Sequence, residues 1–192
     1  LVGRATERAA LAETLEWVRT HMNAESATRV AVIEGEPGIG KSQLLDDFLE
    51  MGRGTDVEFL IGSGRSIESS TPYFAWRSVF NTVLDMDSVP DDQRARQKHV
   101  LERLRTIDTD ADDLAPLLNT LLPLGFAENQ ITVHMRGESR SNNTNQLLAR
   151  LLALDDGRRS SDGGDVNNET SRRQRVLVLE DAHWLDSASW AL

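Results

Sequence analysis

The segment Gly35–Ser42 constrains this chain more than any other, because its residues Gly-Glu-Pro-Gly-Ile-Gly-Lys-Ser match the pattern G-x-x-x-x-G-K-[ST]. Glycines allow a tight turn and leave no Cβ between the backbone and an approaching phosphate. Successive amide N–H groups can then form a concave anion site, and a following helix adds the positive end of its dipole. The segment therefore predicts a phosphate-binding loop (P-loop).

The residues on either side of this loop fit the strand–loop–helix context that the motif requires. Arg29–Glu34 is a short apolar, β-branched run that stops at glycine, which predicts a buried strand. Lys41–Met51 predicts a helix, because its apolar residues recur on one helical face: Leu44, Leu45, Phe48 and Leu49.

Further elements complete an α/β pattern. Helical spacing predicts a helix over Thr6–Met22, and apolar runs predict strands at Val57–Ile61 and Val176–Leu179. Residues 73–154 are helical in pattern, with breaks expected at Pro90, Pro116 and Pro123. Residues 155–175 are polar and rich in Gly, Ser, Asp, Asn and Arg, which is typical of a flexible linker.

Strands joined through helices predict a parallel sheet flanked by helices, here with a helical insert at 73–154. Three strands are fewer than a P-loop sheet usually has, so we expect the sheet to be incomplete and the missing strands to follow Leu192. Residues 1–192 are accordingly expected to be the N-terminal part of one ATPase domain in a longer protein, since the chain also begins with Leu1.

The motif assigns a role to each residue of the loop. Gly35, Glu36, Pro37, Gly38, Ile39 and Gly40 are expected to bind the nucleotide phosphates through the backbone. Lys41 is expected to reach the β- and γ-phosphates and so to act in catalysis as well as binding, and the Ser42 hydroxyl to ligate Mg²⁺. ATP and Mg²⁺ are the predicted cofactors.

Two acids follow the third predicted strand, which reads Val-Leu-Val-Leu-Glu180-Asp181. Mg²⁺ prefers oxygen ligands, and a second carboxylate can orient the attacking water. We therefore predict that Glu180 helps to hold Mg²⁺ and that Asp181 acts in catalysis. The order is Glu then Asp, whereas many P-loop proteins have Asp first, so the division of roles between the two acids stays open.

Composition narrows the class of protein. The formal net charge is −10, which argues against broad contact with nucleic acid, and none is expected from this segment. The sequence has no cysteine, and no apolar run reaches the roughly 20 residues of a membrane helix. We therefore expect a cytoplasmic protein that contacts no membrane.

Several segments together resemble the AAA-type ATPase module of STAND signalling ATPases, which is also described as an origin-recognition-complex-like AAA domain. Besides the P-loop, these segments are Leu1–Arg4, Thr71–Arg77, Pro116–Asn119, Met135–Arg140 and Leu179–Ser189. The resemblance is to the versions found in soluble-type adenylyl and guanylyl cyclases and in LuxR-type transcription regulators, and it spans most of the chain apart from the linker.

The resemblance implies properties that the residues alone do not. Val2, Gly3 and Arg4 become candidate contacts beside the adenine. Such modules couple nucleotide state to downstream sensor and effector domains of the same chain, and a nucleotide-dependent oligomer is a further expectation. The implied function is an ATP-binding and ATP-hydrolysing regulatory module.

Other functions remain open alternatives. A small-molecule P-loop kinase would need an arginine-bearing lid after the second strand, where Gly62–Arg65 offers one arginine, but the long helical insert does not suit a compact kinase. A non-hydrolysing nucleotide-dependent scaffold is another alternative. A replication-origin ATPase would need a DNA-binding domain. GTP is disfavoured, because the sequence contains no N-K-x-D motif.

Overall fold

The computed structural model describes residues 3–20, 28–154 and 174–192. Its α-helices and strands follow in the order α1 (Ala5–Thr20), α2 (Lys41–Gly52), β1 (Val57–Ser63), α3 (Arg77–Val83), α4 (Gln93–Arg105), α5 (Gly137–Leu152), β2 (Gln174–Glu180) and α6 (Ser187–Ala191). Short 3₁₀ helices lie at Ser66–Glu68, Phe74–Trp76, Met86–Ser88, Ala111–Thr120, Thr132–His134 and Ala182–Trp184. The strands β1 and β2 pair in a two-stranded parallel sheet, so the predicted α/β class is confirmed.

The chain divides into two compact units. Of the described residues, the first unit contains 3–20, 28–59 and 174–176, and the second contains 60–154 and 177–192. The predicted helices over Thr6–Met22 and Lys41–Met51 appear as α1 and α2, although Met22 lies outside the described residues. The strand predicted after α2 is present as β1, and the strand predicted before the two acids is present as β2. Each strand extends slightly further than expected.

The first unit is held by a small apolar core between α1 and α2. Its buried members are Leu11, Leu15, Leu44, Phe48 and Val57. The Phe48 ring meets the Phe59 ring edge to face, with 5.6 Å between centroids, a favourable aromatic geometry. An ion pair between Arg8 and Asp47 joins the two helices at the surface. This core fixes α2, and therefore the loop that precedes it, against α1.

The predicted buried strand at Arg29–Glu34 is wrong in this structure. The segment is neither helix nor strand, and the side chains of Val30 and Val32 are 80% and 75% exposed. A strand needs a neighbour to accept and donate its ladder hydrogen bonds. In the part of the chain that is described, the sheet consists of β1 and β2 alone, and Arg29–Glu34 pairs with neither.

The second unit has the larger core, built from the helical insert. Side chains of α3, α4, α5 and the 3₁₀ helix Ala111–Thr120 fill it, and the largest fully buried ones include Phe80, Leu84, Leu104, Leu118 and Leu148. Asp92 caps α4 by accepting a hydrogen bond from the Ala95 N–H at 2.8 Å. The helical character predicted for 73–154 is confirmed in the described residues of the insert.

The break predicted at Pro116 is wrong, whereas Pro90 and Pro123 do lie between helices. Proline lacks the N–H that would donate to the residue three positions earlier in a 3₁₀ helix. That acceptor, the Asp113 carbonyl, instead takes a hydrogen bond from the Asn129 side-chain amide at 2.7 Å. The helix therefore continues through Pro116. The predicted linker lies outside the described residues, apart from Gln174 and Arg175, which begin β2.

Candidate functional site

The backbone of the loop 35–42 turns through two glycines in the left-handed region. Gly38 has a φ of +78° and Gly40 a φ of +91°, and Gly40 is the residue that precedes α2. A Cβ built at either glycine would meet no atom within 4 Å. Glycine is required at these two positions by backbone conformation rather than by crowding, since other L-residues adopt this region at a cost of about 1–2 kcal/mol.

Several N–H groups of this loop have no acceptor. Within the loop, the Ile39 N–H donates to the Glu36 carbonyl at 3.3 Å, and the Leu44 N–H of α2 donates back to Gly40 at 3.1 Å. For the N–H groups of Gly38, Gly40, Lys41 and Ser42, the described residues supply no acceptor. The first turn of a helix always leaves such donors, and here they adjoin a solvent-exposed loop. The arrangement suits an anion.

The Lys41 side chain folds back over the loop. Its Nζ donates to the Gly35 carbonyl at 2.9 Å and to the Glu36 carbonyl at 3.1 Å. The ammonium group is therefore held beside the turn, where a bound anion would meet it. Ser42 is exposed on the first turn of α2.

A cleft of about 300 Å³ opens in the first unit next to the loop. It lies between α1 and the segment before the loop, and its lining includes Arg4, Glu7, Thr14, Val32 and Ile39. This volume is at the lower end of the range for small-molecule sites. Three of the lining residues were not predicted from the sequence, namely Glu7, Ala10 and Thr14. Their spacing, which places them on one face of α1, was the sequence feature that could have indicated them.

Arg4 contributes to this cleft and contacts the loop directly. Its guanidinium donates to the Ile39 carbonyl. The Arg4 backbone is left-handed, with a φ of +70°, and its carbonyl accepts the Arg8 N–H at 3.0 Å at the start of α1. Gly3 precedes it with a φ of +86° and is exposed, and Val2 lies outside the described residues. Two of the three residues assigned through the family resemblance are therefore described, and Arg4 is the one that lines the cleft.

The two predicted acids lie in the second unit, at the end of β2. The Glu180 carbonyl accepts the Gly64 N–H at 2.9 Å, which joins the ends of the two strands. Asp181 is exposed and left-handed, with a φ of +50°, and its carbonyl accepts the Trp184 N–H at 2.9 Å. A Cβ on Gly64 would lie 2.6 Å from the Asp181 carbonyl oxygen. Glycine at position 64 therefore lets β1 end against this turn.

Ser42, Glu180 and Asp181 carry the oxygen atoms that Mg²⁺ prefers as ligands. In the described ranges, no group of three or more His, Asp or Glu residues could hold an ion. Mg²⁺ in nucleotide sites typically keeps water and binds substrate phosphates with only one or two protein oxygens. The Ser42 hydroxyl lies in the first unit and the Glu180 carboxylate in the second.

Comparison with known proteins identifies a family. A family model described as AAA ATPase domain matches residues 1–192. No curated protein matches the sequence, and no solved structure does. No helix in the described residues is long and apolar enough to cross a membrane.

Proposed function

This chain belongs to the AAA ATPase domain family, a family of nucleotide-binding ATPase domains, and we propose that it binds ATP at Gly35–Ser42. One observation carries the proposal: two left-handed glycines lead into α2, and beside the Lys41 ammonium lies a group of N–H donors with no acceptor among the described residues. Backbone donors at a helix N-terminus, with a lysine next to them, are the parts that bind nucleotide phosphates.

Within this proposal, Lys41 exchanges partners when the nucleotide binds. Its Nζ leaves the carbonyls of Gly35 and Glu36 and donates instead to β- and γ-phosphate oxygens. Glu36, Pro37 and Ile39 shape the turn between the glycines. The base occupies the cleft lined by Arg4, and Val2 and Gly3 are assigned as its neighbours. The volume of the cleft, about 300 Å³, supports this assignment.

The catalytic assignments come from the sequence pattern and form a separate proposal. Bound Mg²⁺ neutralises charge on the β- and γ-phosphate oxygens. Ser42 is assigned as one of its ligands. Glu180 is assigned as an acidic ligand, and Asp181 as the residue that orients the attacking water. Replacement of Asp181 by Asn should leave ATP binding intact and slow phosphate release, and hydrolysis at the wild-type rate would remove Asp181 from this role.

The wider role follows from the resemblance to STAND modules. The proposal is a cytoplasmic regulatory module that couples nucleotide state to sensor and effector domains of the same chain, with oligomerisation that depends on nucleotide. A γ-phosphate and its Mg²⁺ are well suited to bias a two-state element of this kind. Formation of ADP with water as the sole acceptor would favour this role over a kinase or a non-hydrolysing scaffold.

The lysine content of the chain allows a direct test of the binding site. Lys41 and Lys98 are the only lysines in the sequence. Lys98 is exposed on α4, near Glu102, and serves as an internal control. If ATP binds the loop, amine acetylation followed by mass spectrometry should show ATP-dependent protection of Lys41 and none of Lys98. Equal labelling of Lys41 with and without ATP would contradict the assignment.

A further inference from the structure

A second cleft, of about 170 Å³, lies in the second unit, at the end of β1. It is lined by Ser63, Arg65, Phe74, Arg77 and Ser78. Ser63 is the last residue of β1, and Arg65 follows two positions later. In α/β proteins, ligands commonly bind just beyond the carboxyl ends of the strands. The position of the cleft is therefore one where a ligand is expected.

Both arginines lie against the same aromatic ring. The Cζ atoms of Arg65 and Arg77 lie 5.7 Å and 5.4 Å from the centre of the Phe74 ring. A guanidinium stacked on a ring keeps its N–H groups available at its edge, where they can donate to a planar or tetrahedral oxyanion. Phe74 thus contacts two positive groups that line the same cleft, and it neutralises neither of them.

Neither guanidinium has an anionic partner in the part of the chain that the structure describes. Across residues 3–20, 28–154 and 174–192, no carboxylate forms an ion pair with Arg65 or Arg77, although the chain carries a net charge of −10. The Arg77 Nε is shielded from solvent and finds no hydrogen-bond acceptor among the described residues. Buried donors without acceptors are rare, and each one calls for a ligand or another explanation.

We propose that Arg65 and Arg77, stacked on Phe74 beyond the end of β1, form a binding site for a single phosphate group. Two guanidinium groups can share a dianion and donate several charge-assisted hydrogen bonds to its oxygens. The volume of about 170 Å³ suits one small group and falls below the range for pockets that hold drug-sized ligands. The proposed site belongs to the second unit, whereas the loop 35–42 belongs to the first.

The test is a titration of the chain with inorganic phosphate at constant ionic strength, followed through the arginine Nε–Hε signals in ¹⁵N NMR spectra. Lys41→Ala serves as the background, so that phosphate binding at the loop does not contribute. Saturable shifts of the Arg65 and Arg77 signals are expected. Arg65→Gln and Arg77→Gln should each weaken phosphate binding by about tenfold or more, the effect of losing a charged hydrogen-bond donor.

Arg150→Gln is the matched control. Arg150 is exposed on α5 in the same unit, so its substitution removes the same charge outside the cleft. The Arg150→Gln variant should bind phosphate with the same affinity as the Lys41→Ala protein that serves as the background. Arg65 is itself exposed, so Arg65→Gln should not unfold the unit. Absence of a saturable shift, or equal affinities in Arg65→Gln and Arg150→Gln, would overturn the proposal. A parallel titration with O-phosphoserine tests the source of the phosphate: tighter binding of the ester favours a phosphorylated side chain, and tighter binding of inorganic phosphate favours the free ion.

Discussion

The Nζ of Lys41 lies 2.9 Å from the carbonyl oxygen of Gly35, six residues earlier in the same loop. The lysine is therefore positioned by the first glycine of its own motif. Nucleotide binding would replace one set of oxygen acceptors by another without any large movement of the α2 backbone. The arrangement of the loop suits a phosphate group, and its left-handed glycines shape the turn.

Gly40→Ala should lower ATP affinity because it forces a side chain into the left-handed region at the start of α2. The strain costs about 1–2 kcal/mol, which the loop can relieve by moving its N–H groups out of position. Gly54→Ala is a matched control, since Gly54 has a φ of +75° and open space around it but lies in the turn after α2. Both variants should lose similar stability to urea, whereas Gly40→Ala alone should weaken ATP binding in calorimetry. Equal ATP affinities for the two variants would argue against the loop's role.

The backbone of the loop 35–42 and the helix that follows it were predictable from the sequence. The motif fixes the order of glycines, lysine and serine locally, so the turn and α2 follow from eight residues and a helical pattern. Arg29–Glu34 was mispredicted because a strand forms only if another strand pairs with it, and a pattern within one segment carries no information about that neighbour. The cleft beside α1 was missed for the same reason, since it depends on how separate segments pack.

Tyr73 should ionise at higher pH in the folded protein than in the unfolded chain. Burial is the main cause that raises the pKa of Tyr73 above 10.0; the Ser141 hydroxyl lowers it, and the nearby Asp186 carboxylate raises it further. Tyr73 is the only tyrosine in the sequence, so phenolate absorbance near 295 nm reports on this residue alone. The midpoint should lie above 10 in buffer and near 10 in denaturant.

The raised pKa of Tyr73 makes the stability of the folded state depend on pH in the alkaline range. A raised pKa means that the folded state retains the phenol proton more strongly, so the stabilisation is fully present below pH 10 and is lost as pH rises through the folded pKa. Tyr73→Phe should remove this alkaline dependence, and it should also remove the hydrogen bond from the Tyr73 hydroxyl to Asn145. A titration midpoint at or below 10 in buffer would show that the ring is not buried as described.

Asp186→Ala should destabilise the second unit more than Asp92→Ala. Both aspartates cap a helix, but Asp186 is buried, and one of its oxygens accepts from the N–H groups of Tyr73, Ala188 and Ser189. Asp92 is exposed, and among the described residues its side chain accepts from the Ala95 N–H alone. The expected losses are about 1 kcal/mol for Asp92→Ala and at least about 2 kcal/mol for Asp186→Ala. Urea unfolding followed by circular dichroism measures both, and equal losses would contradict the account of Asp186.

In the second unit, the helices of the insert could be predicted from the sequence, whereas the contacts between distant residues could not. Its helical character was predictable, because the apolar residues of α4 and α5 recur at helical spacing. The continuation of a 3₁₀ helix through Pro116 was not, because it depends on the Asn129 amide reaching the Asp113 carbonyl from 16 residues away. The contact of both Arg65 and Arg77 with the Phe74 ring could not be predicted from the sequence either, because it arises only when the end of β1 packs near the start of α3.

Calorimetric titration with ATP and Mg²⁺ tests the central claim most directly, comparing the wild-type chain with Lys41→Ala and Lys98→Ala. The two variants remove the same charge, but only Lys41 contacts the loop. We predict that wild type and Lys98→Ala bind ATP with equal affinity and that Lys41→Ala binds about 10- to 150-fold more weakly, the range expected for lost charged hydrogen bonds. Equal affinity of all three proteins for ATP, or no binding by the wild type, would contradict the account.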